Sequence, residues 1–231
     1  MRVDIKSKNQ FNIMMQQIFN NSDLPFVTGC SINSKNIKSG DAFFALSGEK
    51  FDGHNFIDEA IKKGASLIIN KQSFNKKIKG PNISVASVSE ALKELAKNWR
   101  LECNCDIIGI TGSNGKTSTK ELLNNIISKS KSVMFSQSNY NSTIGLPMSM
   151  FSISINDDIG ILEMGANKCG EIKELAEIAQ PVASVTLTKY VPSCEIVADS
   201  HALQLARYTE SIVVLSSPSR RGKISQRSCL P

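Results

Sequence analysis

The chain has 231 residues, with 41% apolar and 21% charged side chains, which suits one large or two modest folded domains and excludes a disordered or collagen-like polymer. No run approaches the roughly 18 apolar residues of a membrane-spanning helix. Met1–Lys6 is polar with no apolar stretch behind it, so neither integral membrane contact nor a secretory leader is expected, and a cytoplasmic compartment is the default expectation. The net charge of +6 is not gathered into a basic stripe with interleaved aromatics, so nucleic acid is not an expected partner.

In chain order, Ala42–Leu46 reads as a short buried strand between Gly40 and Gly48. Asn55–Lys63 sets Phe56, Ile57, Ala60 and Ile61 at helical spacing, with Gly64 where a C-terminal cap belongs. Ser66–Asn70 is the next strand, and Lys71–Pro81, basic and closed by Gly80-Pro81, is a connector. Val88–Leu101 reads as a helix with Ala91, Leu92, Leu95, Ala96 and Trp99 on one face and Ser89 as its cap. Asp106–Thr111 is an apolar, β-branched strand that runs into a glycine-rich turn and a helix ending near Ser128. Met148 and Met150 flank an apolar helix start, and both read as core. Lys131–Ser136, Ile159–Glu163 and Val182–Leu187 read as strands, and Gly170–Ala179 as a helix. This alternation predicts an α/β fold with a parallel sheet. The expected division is an N-terminal α/β domain over 1–84, the first part of a P-loop parallel-sheet domain over 85–187, and a tail over 188–231, with the boundary between Gly80 and Val88.

The tail differs in composition. It holds four of the six arginines but two of the 21 lysines, which suggests a reading-frame shift. A basic, Ser-rich extension is the alternative. The six cysteines are scattered, Cys103 and Cys105 have no second pair, and the histidines are only His54 and His201. Reduced thiols are therefore expected rather than zinc ligands or disulfides.

The chemistry concentrates in Thr111-Gly112-Ser113-Asn114-Gly115-Lys116-Thr117-Ser118, between a strand and a helix. Glycines let backbone N–H groups turn toward phosphate oxygens, and the helix N-terminus behind them favours anions. Lys116 would reach the β- and γ-phosphates, and the Thr117 hydroxyl would ligate Mg²⁺. The alternative is a tight glycine turn with a solvated lysine. A magnesium–ATP site needs a second hard oxygen ligand, and Glu163, ending a strand ahead of Met164-Gly165, is the candidate.

Gly109–Thr117 resembles the nucleotide loop of the Mur ligases, the amide ligases of peptidoglycan synthesis. Glu163-Met164-Gly165-Ala166-Asn167 with Gly170-Glu171-Ile172 is similar to the stretch that marks the D-alanyl-D-alanine-adding branch. Asn139–Pro147 resembles that branch's asparagine-rich segment. Gly40–Leu46 and Phe51–Ile57 are similar to its uridine-nucleotide domain. The resemblance covers Ser31 to Leu187. It implies ATP and Mg²⁺ as cofactors, with UDP-N-acetylmuramoyl-tripeptide and D-alanyl-D-alanine as small-molecule substrates of a monomer. The peptide's terminal carboxylate would attack the γ-phosphate, and the amine would then displace phosphate from the acyl phosphate. It implies catalytic roles for Lys116, Asn139 and Asn141, nucleotide contacts from Thr111 through Ser118, and metal ligation by Thr117 and Glu163. Asn33, Ser34, Lys35, Asp52, Gly53 and His54 would face the uridine nucleotide, although His54 also suits a loop-packing role.

The chain departs from the family pattern at three places. Asn33-Ser34-Lys35 stands for Asp-Ser-Arg, Ser142 stands for an asparagine, and Thr188–Pro192 stands where an Asn-Ile-x-x-x-His-Leu segment is usual. With the family's later elements absent after Leu187, little or no turnover is expected of this chain alone, and marginal solubility with it. Three alternatives remain at this level: another P-loop kinase or NTPase, the diamino-acid-adding Mur ligase, or a non-catalytic nucleotide-binding or UDP-substrate-binding module.

Overall fold

A computed structural model describes residues 1–48, 51–137, 140–187 and, for the backbone, 212–216. The strands are Arg2–Asp4 (β1), Gly29–Ser31 (β2), Asp41–Phe44 (β3), Leu67–Lys71 (β4), Asn82–Val85 (β5), Asp106–Gly112 (β6), Val133–Phe135 (β7), Ile159–Glu163 (β8), Ala183–Leu187 (β9) and Ile212–Ser216 (β10). The helices are Lys8–Ile18 (α1), Ile57–Lys62 (α2), Val88–Glu102 (α3), Lys116–Ile127 (α4), Gly145–Met150 (α5) and Glu171–Ala179 (α6). β1 to β5 form one sheet in that order, and the second runs β10-β9-β6-β8-β7. Pairing is parallel except for β1 against β2 and β10 against β9. The expected α/β class with parallel sheets is what forms.

Successive strand residues point to opposite faces, and that alternation builds the core. Ala42, Phe44, Leu67 and Ile69 enter one cluster, whereas Phe43, Ala45 and Ile68 pack on the other side with Ile57 and Ala60 of α2. In the second sheet Ile107 and Leu162 join the first of these clusters. Ile110, Ile161 and Val185 face the opposite way, against Leu123 and Ile127 of α4. One face of each sheet therefore feeds a single core, filled by α1, α3, α5 and α6. Trp99 of α3 is wholly buried there. Its ring lies edge-on to Phe11 at 5.3 Å, and Phe11 meets Phe151 at 5.1 Å. The indole N–H donates to the Ile153 carbonyl at 3.3 Å, which satisfies the polar atom of a buried ring. Met148 and Met150 are wholly buried, as expected.

Several local readings change. The cap of α3 is Ser87, whose hydroxyl accepts from the Glu90 N–H at 3.3 Å, and Ser89 instead bonds to Ser87 at 3.0 Å. The predicted helix over 55–63 opens as a 3₁₀ turn, Gly53–Phe56, before α2 begins. β1, α1, β2 and β5 are additional elements. Most of the tail lies outside the described residues. The exception is β10, whose backbone pairs along β9 from Ile212 against Leu187 to Ser216 against Ala183. Among the described residues no helix is long and apolar enough to cross a membrane.

Candidate functional site

After β6 the chain builds β7 and β8 on one side, then crosses to place β9 on the other. That reversal makes a crevice at the C-terminal ends of β6, β8 and β9, where ligands of open α/β sheets bind. The loop Thr111–Thr117 leaves β6 at this crevice. Gly112 has φ +138°, and a Cβ there would strike the Leu187 carbonyl of β9. The same carbonyl accepts from the Ser113 N–H at 3.1 Å. Gly115, at φ +79°, turns the chain into α4 in the left-handed region, a conformation glycine adopts without strain. Ser113, Asn114, Gly115 and Ser118 are exposed, so the loop's backbone is open to a ligand. The Lys116 ammonium folds back over it, donating to the Gly112 carbonyl at 2.6 Å and to Ser113 at 3.4 Å.

Glu163 lies at the end of β8 and is 3% exposed. Its Oε2 accepts from the Thr117 hydroxyl at 3.1 Å, and its Oε1 accepts from Asn141 Nδ2 at 2.9 Å. The Glu163 N–H donates to Ser136 Oγ at 3.1 Å, which pins the backbone beneath the carboxylate. Asn141 is itself held by the Gly165 N–H, which donates to its carbonyl at 2.8 Å. A Cβ on Gly165 would come within 3.0 Å of Asn141 Nδ2, so this close approach uses a glycine. Thr117, Asn141 and Glu163, picked separately from the sequence, thus form one hydrogen-bonded cluster beside the loop. Asn139 lies outside the described residues. The loop after β8 is braced by Glu171, which accepts from Asn167 N at 2.6 Å and Lys168 N at 3.2 Å. Those amides, Asn167 first, hold its carboxyl below the usual value of 4.5.

One residue of this cluster escapes the sequence reading. Lys120 is 1% exposed, with Nζ 3.5 Å from Glu163 Oε2. The available signal is its spacing. Positions 116, 117 and 120 share a face of α4, so a lysine there follows the loop lysine toward β8.

The other candidates gather at the C-terminal ends of β2 and β3. Asn33 Oδ1 caps a 3₁₀ turn by accepting from Lys35 N at 2.9 Å, Ser34 Oγ donates to Glu59 Oε2 at 2.8 Å, and Lys35 is exposed. Asp52 accepts at one oxygen from His54 N at 3.0 Å, from the His54 ring at 2.7 Å and from Ser47 Oγ at 2.9 Å. These bonds, the His54 backbone N–H first, hold Asp52 below the usual 3.8. His54 Nε2 accepts from Lys71 N at 2.9 Å. That leaves the proton on Nδ1, facing Asp52. Both ring nitrogens are thereby occupied, and the buried ring lies 5.0 Å from Phe74. In this arrangement His54 ties the loop to β4, while Gly53 packs under Leu46. Among the described residues no hydrogen bond joins this group to the glycine loop. Burial pushes the Cys103 thiol up to about 12, which removes it as a nucleophile.

Residues 26–100 match the Mur ligase family catalytic domain, and residues 110–188 match the Mur ligase middle domain. The chain belongs to the Mur ligase family. Among curated Mur ligases, a UDP-N-acetylmuramoyl-tripeptide–D-alanyl-D-alanine ligase of Synechocystis is 38% identical over 154 residues, 64% of this chain and 33% of that one. One from Rickettsia prowazekii is 40% identical over 149 residues, again 64% and 33%. The chain therefore spans about a third of the length of the curated relatives it matches. A MurF ligase of Thermotoga maritima, solved in complex with ADP, aligns with TM-score 0.62 and 37% identity over 72% of this chain and 38% of that one. MurF of Acinetobacter baumannii aligns with TM-score 0.67 and 29% identity over 80% and 41%.

Proposed function

We propose that the chain carries the nucleotide-binding half of an ATP-dependent ligase that adds D-alanyl-D-alanine to a UDP-N-acetylmuramoyl-tripeptide. The observation that carries this reading is the convergence of the glycine loop, Lys116, Thr117, Asn141 and Glu163 on one crevice, in a chain whose relatives bear that activity in their names. Residues 85–187 would hold ATP. Residues 1–84 would hold the uridine nucleotide, with Asn33–Lys35 and Asp52–His54 at the mouth of the first sheet.

The Thr117 hydroxyl and the Glu163 carboxylate are hard oxygen donors side by side, and they fit Mg²⁺. When bound, the ion would neutralise charge on the transferring phosphoryl group. The chain's own groups do the positioning. Lys116 exchanges the Gly112 carbonyl for phosphate oxygens, the loop N–H groups hold the remainder, and Asn141 fixes the Glu163 carboxylate through Oε1. The peptide carboxylate then takes the γ-phosphoryl group of ATP, forming the acyl phosphate and releasing ADP. The amine next displaces inorganic phosphate to form the amide, with water held out to spare the acyl phosphate.

Nucleotide binding without turnover is the second reading, favoured by the Thr117–Glu163–Asn141 cluster, which builds a nucleotide crevice from residues 111–165 alone. Calorimetry with Mg²⁺–ATP on the chain and on Lys116→Ala tests the nucleotide site. Loss of that charge-assisted contact should weaken binding about 10- to 100-fold. Equal affinity would overturn the proposal. Coupled detection of phosphate release with both substrates present then separates ligase from binding module.

A further inference from the structure

We propose that Lys120 is an internal counter-charge that makes the Glu163 centre accept a divalent cation only together with nucleotide phosphates, an inference that rests on the nucleotide reading above. The side chains of Lys120 and Glu163 are 2% and 3% exposed, and their charges approach to 3.5 Å. Lys120 Nζ has no hydrogen-bond partner among the described residues. An ammonium carries three donors, and an ion pair built for stability in the interior satisfies them with carbonyls or a second carboxylate oxygen. Here Oε1 of Glu163 is given to Asn141 and Oε2 is already shared with Thr117. Nζ is also sealed from solvent, so a phosphate cannot reach it. What Lys120 contributes is its field.

The charges then decide what the site admits. Glu163 supplies one negative charge, Lys120 offsets it at 3.5 Å, and Lys116 adds a further positive charge at the loop. A free divalent cation meets a cluster whose formal sum is positive, and because the Lys120–Glu163 pair is buried its share of that repulsion is weakly screened. Phosphates reverse the sign. The same cation arriving with a nucleotide finds Thr117 and Glu163 oriented and the net charge favourable. Lys120 is thus a positioning and selectivity residue, acting through Glu163.

The test titrates the chain, Lys120→Met and Lys120→Arg with Mn²⁺ alone and with Mn²⁺ plus ADP, reading free Mn²⁺ by electron paramagnetic resonance. Lys120→Met should bind Mn²⁺ alone about ten-fold more tightly than wild type or better. Lys120→Arg should behave as wild type, and all three should bind Mn²⁺–ADP. A merely structural lysine would lower the melting temperature and leave metal-only affinity unchanged, and that result overturns the proposal. Failure of the wild type to bind Mn²⁺–ADP would instead overturn the nucleotide reading. Lys120→Gln, run in parallel with the same expectation, replaces Lys120→Met if the latter does not melt cooperatively. Wild-type affinity for Mn²⁺ that is equal with and without ADP overturns the proposal whichever variants fold.

Discussion

Gly112 and Glu163 are constrained for different reasons, and their substitution should fail in different ways. At Gly112 the obstacle is backbone: φ is +138° and the Leu187 carbonyl occupies the space of a Cβ. Gly112→Ala should cost about 1–3 kcal/mol by urea denaturation and abolish nucleotide binding by calorimetry. At Glu163 the obstacle is charge. Glu163→Ala would leave the Lys120 ammonium buried without its carboxylate, a loss of about 3–5 kcal/mol in the same denaturation experiment. The glycines, Lys116, Thr117 and Glu163 were legible in the sequence, because few other arrangements need those residue types in that order. Lys120 was not, because Lys120-Glu121 reads as a solvated helix face and only tertiary packing buries one of the two. His54 was legible as a candidate, but its double tie to Asp52 and Lys71 depends on a strand 17 residues away.

Helix ends and short strands make up the next scale. Ser87 caps the long helix shared by both sheets, so Ser87→Ala should lower stability by about 1 kcal/mol in urea melts, whereas Ser89→Ala should change it less. Glu171 braces the loop after β8 through two backbone amides and titrates below its usual 4.5. A carboxyl depressed on folding stabilises above its unfolded value, and that contribution disappears as pH falls through the lower folded value. The Asn167 amide proton should therefore follow an acid titration with midpoint under 4.5 by NMR, and Glu171→Gln should erase it. Ile159–Glu163 emerged from the sequence with its true bounds because Asp157 and Asp158 precede its apolar run and Glu163 closes it. β1, β2 and β5 are only three or four residues long, too short for alternation to register. α1 carries Asn9 and, on its buried face, Asn12, poor helix formers that weaken its pattern. Tertiary contacts, not local preference, form these elements.

For the whole molecule the governing fact is the core common to the two sheets. The single tryptophan lies within it, so fluorescence and far-UV circular dichroism should report one coincident urea transition. Phe151→Ala, which removes a ring touching both Phe11 and Phe44, should lower that transition's free energy by about 3–5 kcal/mol. Two separate transitions would show that the sheets unfold independently. The boundary expected near residue 85 rests on a Gly-Pro connector followed by a fresh helix, yet α3 beyond it packs on α1 and β4 before it. Dissection at that point would deprive Phe11, Phe44 and Leu67 of Trp99, Leu92 and Leu95, and leave two halves with bared apolar faces in place of one shared core. The helix α3 therefore belongs to the core of both sheets, and the two proposed nucleotide-binding mouths are moored to a common keel.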